Sequence, residues 1–100
     1  EGLVGILTIG IDLVTSLECV ALAESSPLLW AAVGIHPNHT AEAEEGHWER
    51  IVELSGHPKV NAIGESGLDR YWDKAPIPVQ EDYFRRHLEL SRVTGKPIVI

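Results

Sequence analysis

Two short runs concentrate the groups that could do chemistry: Val33-Gly34-Ile35-His36-Pro37 and Ala62-Ile63-Gly64-Glu65-Ser66-Gly67-Leu68-Asp69. Each is apolar and β-rich, pauses on a glycine and then delivers an ionisable side chain. A parallel α/β sheet presents its functional groups this way, apolar along the strand and polar at its carboxyl end. A glutamate set between glycines at the tip of a buried strand is a candidate metal ligand or acid–base group; the plainer alternative is a surface-loop carboxylate. Taken alone, His36 reads more plainly as a hydrogen-bonded strand-end histidine, and Asp69 as a cap for the loop after Gly67.

The elements that must position these groups follow from periodicity. Residues 3–9 form an apolar, β-branched strand ending at Gly10. Residues 12–26 read as a helix, with Asp12, Thr15 and Ser16 as possible caps and Pro27 as the stop. Residues 28–35 give a second strand. Residues 40–55 give a second helix, with Thr40 as N-cap and Trp48, Ile51, Val52 and Leu54 for burial. Residues 60–64 form a third strand, residues 70–78 a loop with two prolines, and residues 79–94 a third helix whose Phe84, Leu88 and Ser91 share a face. Ile98-Val99-Ile100 begins a fourth strand. The order is β-α-β-α-β-α-β, with a parallel sheet in sequential order and helices on one side.

Strand alternation sharpens the site. Trp30, Ala32, Gly34 and His36 point one way, and Leu29, Ala31, Val33 and Ile35 the other. Asn61, Ile63 and Glu65 are expected to share a face on the third strand. With both faces interior, His36 and Glu65 converge above adjacent strands, roughly 5–10 Å apart.

Composition sets outer limits. One hundred residues, 44% hydrophobic and 23% charged, suit one ordinary folded domain. The net charge of −7 argues at first against a nucleic-acid partner. Its distribution weakens that: residues 1–49 hold eight acidic residues and no Lys or Arg, while residues 50–100 hold eight basic and seven acidic residues, a balance of +1. Arg70 and Lys74 follow Glu65 closely. Arg85 and Arg86 either extend a basic rim or form a solvated helix face. Cys19 is the single cysteine, and the longest apolar stretch falls well short of the roughly 20 residues a membrane helix needs. A cytoplasmic location and no membrane association are the expectations.

Gly34-Ile35-His36-Pro37, Ile63-Gly64-Glu65-Ser66-Gly67-Leu68-Asp69-Arg70-Tyr71, Gln80 with Phe84, and Lys96-Pro97-Ile98-Val99-Ile100 together resemble the TatD family of metal-dependent hydrolases, in family order and spacing. The resemblance implies a TIM (β/α)₈ barrel, of which residues 1–100 are about half, as a single partial barrel domain. It implies one or two divalent metal ions (Mg, Mn or Zn) and deoxyribonuclease activity. Glu65 matches the family's metal-ligating glutamate. His36 matches the histidine near the site, and Asp69 the aspartate closing the Gly-Glu-x-Gly-Leu-Asp motif, in a supporting place; these two are the candidate catalytic residues. Arg70 is the candidate phosphate contact from the rim, with DNA, single-stranded or at its ends, as substrate.

The departures are instructive. The family's His-x-His pair and its later His, His and Asp ligands have no counterparts within these residues, and Ser66 replaces a more usual aliphatic residue. One ligand cannot hold a catalytic metal. These 100 residues alone are therefore expected to be inactive, with strand edges exposed to self-association. Two rivals stand beside the nuclease: an amide or ester hydrolase using the same site, and a non-catalytic half-barrel module. His39, His47, His57 and His87 are expected to be solvated. Tyr71 and Trp72 are expected to seal the top of the barrel, stacking on a base being the alternative. Trp30 and Trp48 are expected in the core.

Overall fold

A computed structural model describes residues 5–71 and 74–100. Its sheet has three parallel strands in sequential order, β1 (Ile6–Ile9), β2 (Leu29–Val33) and β3 (Val60–Ile63). The expected fourth strand appears as a single parallel bridge from Ile63 to Ile98. Backbone bonds from Ile63 N to Pro97 O (2.8 Å) and from Val99 N to Ile63 O (2.7 Å) hold it beside β3. Order and direction match the sequence expectation; the count is three strands and a bridge rather than four strands.

Helix α1 (Leu13–Glu24) starts where the caps predict. The Asp12 carboxylate accepts the Thr15 amide at 2.8 Å, and the Thr15 hydroxyl accepts the Asp12 amide at 3.1 Å, a reciprocal capping box. The single helix expected over residues 40–55 is split. A 3₁₀ segment, Pro37–Glu42, follows β2 directly, and helix α2 (His47–Leu54) begins only after Gly46, whose φ is +92°. Thr40 is thus no N-cap: it is buried, and its hydroxyl donates to the Pro37 carbonyl at 2.9 Å. Helix α3 (Ile77–Thr94) starts two residues earlier than expected, because Pro78 fits a first helical turn, where no amide donor is required.

The core lies between the sheet and all three helices. Ala31, Val33 and Ile35 of β2 and its extension pack with Cys19, Val20 and Ala23 of α1, Ile51 and Leu54 of α2, and Leu90 of α3. This is the outward face that alternation assigns to β2. On β3 alternation fails. Ala31 pairs with Val60 but Ala32 pairs with Ala62, so Asn61 is an extra residue and is exposed. Ile63 then pairs with Val33 and joins the helix-side core with Val60, so it does not share an interior face with Glu65 as expected.

The strand ends are pressed together. A Cβ on Gly34 would lie 2.8 Å from Cα and C of Gly64, and one on Gly64 would lie 2.5 Å from the Val99 carbonyl oxygen. Gly64 also has φ +144°. The side chain that would separate the tips of β2, β3 and the fourth segment is absent at both positions.

Two tests follow. Gly34→Ala should lower unfolding stability by about 2 kcal/mol or more, since backbone rather than a flexible side chain blocks the new methyl. Gly56→Ala, whose Cβ would meet only a carbonyl at 3.5 Å, should change it by less than about 0.5 kcal/mol. Denaturant titration compares them. The Asp12 carboxyl is held below its ordinary value of 3.8: partial burial pushes it up, but the Thr15 hydroxyl and amide bonds and the nearby His39 and His47 outweigh this. A depressed folded-state pKa contributes stability above the unfolded value, lost as pH falls through the folded one. Asp12→Ala should therefore cost about 1 kcal/mol at neutral pH, and the difference from the native chain should shrink as pH falls below the ordinary carboxyl value of 3.8 in acid titration of stability.

Candidate active site

Past Val33, β2 leaves the ladder, and three successive amides find three different partners. Gly34 N donates to Ser16 Oγ of α1 at 3.2 Å, Ile35 N to His87 Nε2 of α3 at 2.9 Å, and His36 N to the Ile11 carbonyl after β1 at 2.7 Å. The end of β3 is anchored on the same part of β1: Glu65 N donates to the Gly10 carbonyl at 3.0 Å. His36 and Glu65 thus hang from the carbonyls of consecutive residues, Ile11 and Gly10. Both side chains are half-buried.

The His36 ring has a defined role. Its Nδ1 accepts the Asn38 amide at 3.0 Å, capping the 3₁₀ segment. That bond needs the lone pair on Nδ1, so in the neutral ring the proton sits on Nε2, which is a donor. The Glu65 carboxylate has no hydrogen bond or ion pair among the described residues, which leaves both of its oxygens as acceptors. Asn38 Oδ1 and Ser66 Oγ, in the loops after β2 and β3, are buried and also lack partners among the described residues. The polar inventory at the mouth exceeds what these residues consume.

Asp69 joins the two loops. Its Oδ2 accepts Asn38 Nδ2 at 3.1 Å and its Oδ1 accepts the Tyr71 amide at 3.0 Å. Its backbone is gripped by Gln80, fully buried on α3. Gln80 Oε1 accepts Asp69 N at 2.8 Å, while Nε2 donates to Asp69 O at 3.1 Å and to Ala75 O at 2.9 Å. Arg70 is exposed on the loop so held, with no ion pair among the described residues. Tyr71 is 84% exposed and does not seal the mouth; Trp72 lies outside the described residues. Arg86 pairs with Asp82 at 3.0 Å and covers the Tyr83 ring, a helix-face pair rather than part of a basic rim.

A divalent metal fits this donor chemistry only in part. Glu65 offers a hard oxygen donor, and His36 is committed through Nδ1 to the Asn38 amide. Among the described residues no three of His, Cys, Asp and Glu gather into a group that could hold an ion.

The other histidines divide. His39 lies 3.0 Å from Glu42, His57 2.8 Å from Glu24 and His47 4.0 Å from Glu44, all partly exposed. His87 contradicts its solvated expectation and is fully buried. Of the residues expected to share a face of α3, Phe84 and Ser91 are half-buried and Leu88 is 44% exposed, while the buried positions are Gln80, His87 and Leu90. The missed signal was their spacing, 80, 87 and 90, which is helical but carries two polar residues.

Comparisons with known proteins bear on the family and the fold. The family model described as TatD related DNase matches residues 1–100. An uncharacterized metal-dependent hydrolase, YabD, of Bacillus subtilis is 38% identical over 95 residues, covering 95% of this chain and 37% of that protein. A 3'-5' ssDNA/RNA exonuclease TatD of Citrobacter rodentium is 33% identical, covering 97% of this chain and 37% of its own length. The crystal structure of YJJV, a TatD homologue from Escherichia coli K12, superposes with a TM-score of 0.85 at 26% identity, over 97% of this chain and 38% of that one. The chain thus spans well under half the length of these relatives. It belongs to the TatD-related DNase family.

Proposed function

We propose that the protein containing this chain is a metal-dependent nuclease that hydrolyses phosphodiester bonds in DNA, single-stranded or at its ends, and that residues 1–100 form part of one (β/α)₈ barrel domain. One observation carries the reading: the backbones of Glu65 and His36 are tied to adjacent carbonyls of one strand end, and these residues carry an unpartnered carboxylate and an N–H donor. The names of the relatives, a metal-dependent hydrolase and a 3'-5' ssDNA/RNA exonuclease, support the chemistry and extend the candidate substrates to RNA.

In this reading Glu65 holds a divalent metal, Mg, Mn or Zn, alone or as one of two, with the remaining ligands supplied outside these residues. When bound, such an ion polarises a phosphoryl oxygen and lowers the pKa of a water towards neutrality. His36 contacts a phosphate oxygen or the bound water through its Nε2–H, as a hydrogen-bond donor that keeps its proton. Arg70 steadies a phosphate from the rim. Asp69 touches neither; it holds the loop that carries Arg70 and ties it to the loop after His36. No helix among the described residues is long and apolar enough to cross a membrane, and Cys19 is a buried free thiol. Both support a cytoplasmic enzyme.

Glu65→Ala in the full-length protein should abolish metal-dependent cleavage of a single-stranded oligonucleotide. Glu65→Gln should impair it, since a neutral amide binds a hard cation less well. Wild-type turnover by Glu65→Ala at limiting metal contradicts the assignment. Ester and amide substrates run in parallel decide between nuclease and deacylase. Gln80→Leu should cost about 2–3 kcal/mol, because it strands the Asp69 amide and carbonyl and the Ala75 carbonyl. It should also speed tryptic cleavage after Arg70 and Lys74 relative to the native protein. Unchanged proteolysis would remove Gln80 as the support of the Arg70 loop.

A further inference from the structure

We propose that His87 is a positioning residue for the site: a buried imidazole whose Nε2 holds the strand end from which His36 projects. Its effect on turnover rests on the nuclease reading; its effect on the strand end does not.

Every polar atom of the ring is engaged. Nδ1 lies 2.6 Å from the Tyr83 carbonyl, one helical turn back, and can only donate there. Nε2 is then the lone-pair nitrogen, and it accepts the Ile35 amide at 2.9 Å from a residue 52 positions away in sequence. The tautomer is fixed from both sides. The Trp48 ring packs against the imidazole at 4.7 Å, and Trp48 also meets Tyr83 edge-on at 6.2 Å, so the ring has little freedom to turn. Ile35 is 2% exposed and His87 is fully buried, leaving no water to replace the bond if it is lost.

An apolar residue at position 87 would fill the same space between α2, α3 and β2 but could not receive the Ile35 amide. The adjacent bonds show why this matters. Gly34 is held by Ser16, whose hydroxyl also sits 3.3 Å from the Gly34 carbonyl, and His36 by Ile11. Release of Ile35 from between them frees the one peptide that links these two anchors, and His36 moves with it. Burial, assisted by the charge of Arg86 and opposed by the Tyr83 bond, pushes the His87 pKa down to about 4. The Nε2 lone pair therefore stays available to the Ile35 amide at neutral pH.

The test uses the full-length protein. In its metal-free form, amide hydrogen exchange is read at Ile35. With metal and a saturating single-stranded oligonucleotide, kcat and KM are read separately. His87→Leu removes the acceptor. His87→Gln keeps an acceptor at the reach of Nε2. Leu90→Ala, also buried on α3, controls for general loss of helix packing. His87→Leu should exchange Ile35 roughly tenfold faster or more than Leu90→Ala, and lose roughly tenfold or more in kcat with little change in KM. His87→Gln should lie within about threefold of wild type in both. The inference is overturned if His87→Leu and Leu90→Ala exchange Ile35 alike, if Gln and Leu behave alike, or if Ile35 is released while kcat is unchanged. If wild type cleaves no oligonucleotide but the exchange pattern holds, the support of the strand end by His87 stands and the nuclease reading falls.

Discussion

A backbone amide that leaves a parallel ladder inside a protein must find another acceptor, and that requirement organises this structure. At the end of β2 the amides of Gly34, Ile35 and His36 are taken by a serine from α1, a histidine from α3 and a carbonyl after β1. An orphaned buried amide costs about 1–3 kcal/mol, so each acceptor constrains what its own element can be. Ser16 must be buried on α1, and His87 must be buried on α3. The β1 end must supply the Gly10 and Ile11 carbonyls to the chain leaving β3 and β2. His36 and Glu65 are placed as a consequence.

The same requirement explains which parts were legible in the sequence. The strands, their parallel order and α1 followed from apolar runs and caps, because those segments are governed by burial of one face. The outward face of β2 was right for the same reason. The polar residues on the inner face of α3 were not legible. Gln80 and His87 are inside because they serve backbone atoms of distant loops, and amphipathic periodicity contains no record of that. The shared face of Phe84, Leu88 and Ser91 was the apolar signal, and it leaves out the residues that are buried. On β3, the extra residue at Asn61 inverts alternation, which no residue-type pattern announces. The break of the second helix at Gly46 was readable in principle, since a glycine stands there, but the acidic run before it looked like a first helical turn.

The places of the candidate site residues at the strand ends were legible in the sequence. Glu65, His36, Asp69 and Arg70 stand on the two strand-end loops from which the sequence pattern drew them, but their division of labour came from hydrogen bonds. Asp69 spends its carboxylate on Asn38 and on the Tyr71 amide, which makes it a brace. His36 spends Nδ1 on the Asn38 amide, which leaves it a proton donor at Nε2. Asn38 therefore touches both, through its amide and its side chain. The half-buried Glu65 carboxylate spends nothing on the described residues, as expected of a group reserved for a ligand.

The central claim, that Glu65 is the metal-facing carboxylate and His36 the N–H donor beside it, is tested most directly by a crystal structure of the full-length protein grown with Mn²⁺ and measured for anomalous scattering. The account predicts an anomalous peak bonded to a Glu65 carboxylate oxygen, with His36 Nδ1 still accepting the Asn38 amide and neither His36 nitrogen bonded to the ion. A bound ion that Glu65 does not touch, or one coordinated by His36, would contradict it.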